Sequence, residues 1–146
     1  MKWLDGTTKD LVFLSQNPKN HHEVILSSGR PQAVSFNPIN QISLRTETVG
    51  SLRSIWQKIR DAKVEDIQTL SHGSSISVYM KDPEGNRLEL YWETPWYVPQ
   101  PSRIEVNLDL TDDELLSYVE QQARLREGFV PRSEWQAKMA LLMASR

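Results

Sequence analysis

Apolar positions change their spacing along this chain, and each change marks an element. Leu11-Val12-Phe13-Leu14 is a continuous apolar run, and Asn17-Pro18-Lys19-Asn20 behind it reads as a turn. His22 to Leu26 follows as a second strand, closed by Ser27-Ser28-Gly29, so the two strands pair as a hairpin. Residues 30–38 hold Pro31 and Pro38 and read as a connector. From Gln41 the side chains alternate, with Ile42 and Leu44 on one face and Gln41, Ser43 and Arg45 on the other. From Ser51 the spacing turns helical: Leu52, Ile55, Trp56 and Ile59 predict an amphipathic helix over 51–62. Strands are predicted over Val64–Thr69, Ile76–Met80 and Arg87–Trp92, with a loop at Leu70–Ser75. Asp82-Pro83-Glu84-Gly85-Asn86 is the turn that joins the last two. Residues 39–92 therefore read β-α-β-β-β.

The hairpins invite comparison. Residues 12–26 lie over residues 78–92 without a gap, with Val12 on Val78, Asn20 on Asn86 and Glu23 on Glu89. Two explanations stand: hairpins of equal turn length look alike, or the chain holds two copies of one module, the first incomplete. From Ser102 onward the sequence changes character. Thr111-Asp112-Asp113-Glu114 is a capping box with acidic residues in the first helical turn. Leu115, Leu116, Val119 and Ala123 form its apolar stripe, and Gly128 ends it. A second helix, begun by Pro131 or Ser133, carries Trp135, Met139, Leu142 and Met143 on one side. These two helices, predicted over 111–126 and 133–144, must each bury an apolar face. The Trp92, Trp96 and Tyr97 cluster reads as packing against this tail.

Composition narrows the chemistry. With 146 residues the chain has room for one well-cored domain or one domain with an appendage. It has no cysteine, which excludes disulfides, thiolate catalysis, zinc ribbons and iron–sulfur clusters. Basic residues number 17 and acidic 19, with no basic stripe, so no nucleic-acid partner is expected. No apolar run approaches the length of a bilayer span, so no membrane partner is expected either. Met1-Lys2-Trp3-Leu4-Asp5-Gly6 lacks the apolar core of a secretory signal, which makes the cytoplasm the expected compartment.

The turn and strand Lys81-Asp82-Pro83-Glu84-Gly85-Asn86-Arg87-Leu88-Glu89-Leu90-Tyr91 resemble the vicinal oxygen chelate superfamily of glyoxalases, drug-resistance proteins and extradiol dioxygenases. With His72-Gly73, Tyr79, the strand His21-His22-Glu23-Val24-Ile25-Leu26 and the ending Tyr91–Val98, the chain is most similar to the biphenyl-2,3-diol 1,2-dioxygenase type. The resemblance implies an α+β fold: paired β-α-β-β-β modules, the first incomplete, forming a curved sheet or cup. It places that domain at 1–100 and the helical extension at 101–146. It implies a catecholic aromatic as substrate or ligand and Fe(II) as cofactor. Opening a catechol with O₂ needs two imidazoles and one carboxylate on one face of the iron, leaving positions for both reactants. By resemblance Glu89 is the carboxylate ligand, His22 the acid–base residue, and His72 and Tyr79 line the substrate side. The two imidazole positions depart from the pattern. One belongs to an opening strand for which this sequence has no room, and the other is Gln41.

Alternatives to an iron enzyme follow. Another divalent metal at Glu89 and Gln41 is one; a metal-free binding module like the drug-sequestering resistance proteins is another; a truncated reading frame with no activity is a third. Each residue also has a plain structural role: Glu89 facing solvent on an edge strand, His22 in a surface pair, His72 in a loop, Tyr79 as a core aromatic, Gln41 as an ordinary strand residue. A first module without its opening strand leaves an unpaired sheet edge, so a homodimer is expected.

Overall fold

The structure, a computed structural model, describes residues 10–15, 17–28 and 39–144. Two strands come first, β1 (Leu11–Leu14) and β2 (Val24–Ser27). Then follow β3 (Ile42–Arg45), helix α1 (Val49–Asp61), β4 (Gln68–Ser71), β5 (Ser75–Lys81) and β6 (Arg87–Glu93). The rest comprises β7 (Trp96–Tyr97), β8 (Ile104–Glu105), helix α2 (Asp112–Arg124), β9 (Val130–Pro131) and helix α3 (Arg132–Ala144). The architecture is α+β, and β3-α1-β4-β5-β6 is the predicted β-α-β-β-β module. Among the described residues no helix is long and apolar enough to cross a membrane.

Contacts divide the chain into two compact units, Met1–Phe36 with Arg132–Arg146, and Asn37–Pro131. This grouping differs from a division at residue 100: α2 falls with the large sheet and α3 with β1 and β2.

The larger unit is built on a five-stranded sheet in the order β3-β6-β5-β4-β8. The pair β3–β6 is parallel and the other neighbours are antiparallel. One face supplies Ile76, Val78 and Leu90 to a core shared with Val49, Leu52 and Trp56 of α1 and Leu115, Val119 and Ala123 of α2. Thr48 caps α1 by accepting from the Ser51 backbone N–H. The predicted Thr111–Glu114 capping box is present on α2. Trp96 packs on Phe129 with ring centroids 6.4 Å apart, so the tryptophan does pack on the tail. The strand predicted over Val64–Thr69 forms later, as β4. Lys63 and Asp66 both hold φ of 57°, and a left-handed residue cannot continue an extended strand.

The opposite sheet face is polar and falls in rows, because directly paired residues share a face. Ser43, Glu89, Tyr79 and Gln68 make one row across four strands. Arg45, Tyr91, Ser77, Leu70 and Glu105 make the next, and Arg87 pairs with Lys81 beyond.

The smaller unit pairs β1 with β2 antiparallel. Its register corrects the gapless overlay of the two hairpins. Met80 opposes Leu88 in β5–β6, so Leu14 would oppose His22; instead it opposes Val24. The loop of the first hairpin takes up 15–23 where the second uses 82–86, and His22 sits in that loop rather than in a strand. In the same unit the Gln136 amide of α3 donates to the Lys19 carbonyl at 3.0 Å.

Candidate functional site

Glu89 lies on β6, an interior strand between β3 and β5, and is 8 % exposed. The solvent-facing edge position is therefore not what it occupies. A carboxylate this deep needs its charge met by donors, and three meet it. The Tyr79 hydroxyl donates to Oε1 at 2.5 Å, and the Ser43 hydroxyl and Gln41 amide donate to Oε2 at 2.6 and 2.8 Å. The cross-strand pairs Glu89–Tyr79 and Glu89–Ser43 make this meeting unavoidable: once the register is set, both hydroxyls face the carboxylate.

His72 reaches the same row from the loop after β4. Gly73 behind it holds φ of 77°, and a Cβ there would lie 2.8 Å from Cβ of Val98. The Gly73 carbonyl accepts from the Trp96 indole at 2.7 Å and the Thr94 hydroxyl at 3.0 Å. The His72 carbonyl accepts from the Gln100 amide at 2.7 Å. With the loop so tied, Nδ1 of His72 faces the Ser102 carbonyl at 2.8 Å and Nε2 faces the Tyr79 hydroxyl at 2.9 Å.

Ser102, His72, Tyr79 and Glu89 form one continuous row of polar contacts. The row has three contacts, each needing one hydrogen. The Ser102 carbonyl only accepts, so Nδ1 must carry one. The single Tyr79 proton serves Glu89 or His72, not both. A neutral imidazole, a phenol and a carboxylate supply two hydrogens between them, so the geometry has a place for one more. Burial, then the charge and hydrogen bond of Glu89, push the Tyr79 phenol well above its ordinary pKa, so it stays protonated at neutral pH; Ser77 and the Arg87 guanidinium act in the opposite sense. Ser77 Oγ, on the same face, is fully buried, with no hydrogen bond of normal length and only a minor interaction with the Tyr79 hydroxyl.

The structure thus gathers Gln41, His72, Tyr79 and Glu89 and adds Ser43 and Ser77. Alternation along β3 already put Ser43 on the Gln41 face; the strand pairing that brings it to Glu89 had no local signal. His22 belongs to the smaller unit, where its Nδ1 lies 2.8 Å from Nδ1 of His21 and its ring 5.3 Å from Phe13.

A two-imidazole, one-carboxylate iron site does not fit these residues. Among the described residues no three His, Asp or Glu side chains are placed to hold a metal. Gln41 and Glu89 are adjacent, but as donor and acceptor, and Nε2 of His72 is turned to Tyr79.

Residues 5–90 match the model of the Glyoxalase/Bleomycin resistance protein/Dioxygenase superfamily, and the chain belongs to that superfamily. Neither the curated proteins nor the solved structures contain a significant match.

Proposed function

We propose that the chain binds a small catecholic aromatic at the polar sheet face, using the Glu89, Tyr79 and His72 of the extradiol dioxygenase pattern without its iron triad or its His22. The observation that carries this reading is the 2.5 Å hydrogen bond from Tyr79 to Glu89, continued to His72. Two adjacent ring hydroxyls are donors and acceptors in one plane. One takes the place of Ser43 or Gln41 and donates to Glu89; the other accepts from Tyr79 or His72 as the row shifts its proton. The three donors on Glu89 favour binding without metal, as in a sequestering protein, over ring opening by this chain.

Titrating the protein with 2,3-dihydroxybiphenyl under argon, with and without Fe(II), tests the proposal through tryptophan fluorescence. Saturable binding is expected without iron, weakened about tenfold or more in Glu89→Gln. Stoichiometric iron with ring cleavage in air would overturn the metal-independent part. Absence of diol binding under both conditions would overturn the whole.

A further inference from the structure

The polar face holds two arginines in different circumstances. Arg45 is paired with Glu93 at 3.3 Å. Arg87 has no ion pair among the described residues; its guanidinium carbon lies 4.6 Å from the centroid of the Tyr79 ring. The residue directly opposite on β5 is Lys81, another cation, and like charges across a strand pair cost stability. Among the described residues no carboxylate of the hairpin forms an ion pair with either cation. Asp82 spends Oδ1 on the Glu84 and Asn86 backbone N–H groups at 3.0 and 2.7 Å, and Oδ2 on the Asn86 amide at 2.8 Å. Glu89, two residues along, already accepts from Tyr79, Ser43 and Gln41. A guanidinium resting on an aromatic ring keeps its N–H edge for a planar, two-oxygen acceptor.

We infer that Arg87, with Lys81 beside it, reads a carboxylate on the ligand, so that an acidic catechol is bound in preference to a neutral one. The Tyr79 ring separates the two ends: its hydroxyl joins the Glu89 row and its face carries Arg87. A ligand with adjacent hydroxyls at one side of a benzene ring and a carboxylate at the other carries a group for each of the two ends. This rests on the proposed catechol binding and adds specificity to it.

The test is the ratio of two affinities on the full chain, 3,4-dihydroxybenzoate against unsubstituted catechol, measured by calorimetry at low and high salt. The acid is expected to bind about tenfold tighter or more, with the ratio falling as salt rises. In Arg87→Gln the ratio is expected near one. A ratio near one in the native chain, or unchanged in Arg87→Gln, overturns the inference while leaving catechol binding intact. Failure of both ligands to bind overturns the underlying reading, and this one with it. Should Arg87→Gln not fold, Lys81→Gln serves instead: a several-fold drop in the ratio supports the inference and no drop overturns it.

Discussion

Tyr79 is the pivot of the polar face because it connects a buried charge to a histidine that has no other route to it. Replacing it with phenylalanine removes one of the three donors on Glu89 and leaves a charged oxygen buried without its closest partner. The expected loss is about 1.5–3 kcal/mol of folding stability, read from urea unfolding. Ser77 gives the contrasting expectation. Its hydroxyl is fully buried without a hydrogen bond of normal length, so Ser77→Ala removes a desolvated group and only a minor interaction with Tyr79. Stability should stay level or rise by up to about 1 kcal/mol. A fall of more than that would mean the hydroxyl is bonded. The Tyr79 shift also has a pH sign. Its folded pKa is raised, so its stabilising effect is complete below the ordinary phenol value and fades as pH climbs above it. Alkaline unfolding should therefore begin earlier in the native protein than in Tyr79→Phe, relative to each protein's own plateau.

The β1–β2 hairpin and α3 meet around His21, whose ring lies 4.9 Å from Phe13 and 5.8 Å from Trp135. Burial, then the neighbouring His22 and Arg132, lower the His21 pKa to about 4. A lowered folded pKa gives stability that is present above 6.5 and lost as pH falls toward 4. Amides of β1 and β2 should thus lose hydrogen-exchange protection across that window, after correction for the intrinsic rate. Unchanged protection in the hairpin would refute the coupling. Much of this element level was legible from local pattern: α1 from the spacing of Leu52 and Trp56, α2 from its capping box, β5–β6 from the Asp82–Asn86 turn, where Gly85 supplies φ of 86°. What local pattern does not contain is register. The first hairpin slipped two residues from the overlay, β4 moved past two left-handed residues, and the two-residue strands β7, β8 and β9 exist only through their partners. The candidate site divides the same way. Glu89, Tyr79 and His72 stand out by resemblance. Ser43 and the Ser102 carbonyl join them through pairings and loop closures between residues far apart in sequence.

At the scale of the whole molecule the question is what meets its apolar surface. Among the described residues β3 pairs only with β6, and its Ile42 and Leu44 are 43 % and 51 % exposed. On the β1–β2 hairpin, Val12 opposes Leu26 and Leu14 opposes Val24, which puts four exposed aliphatic side chains on one face. Each such side chain is worth about 1 kcal/mol when its exposed half is covered. Among the described residues the outer edge of β3, beside Ile42 and Leu44, offers unpaired backbone donors and acceptors to another strand. A second copy presents the same β3 edge with its Ile42 and Leu44, so two chains can satisfy both needs through one symmetric contact at β3. The chain is therefore expected to sediment as a homodimer at micromolar concentration. Leu44→Lys, which puts a charge beside the open edge without touching the buried core, should shift it toward monomer while circular dichroism stays native. A native protein that sediments as monomer throughout that range would exclude the dimer. A dimer indifferent to Leu44→Lys would move the contact away from β3, leaving the hairpin face as the surface to test with Val12→Lys.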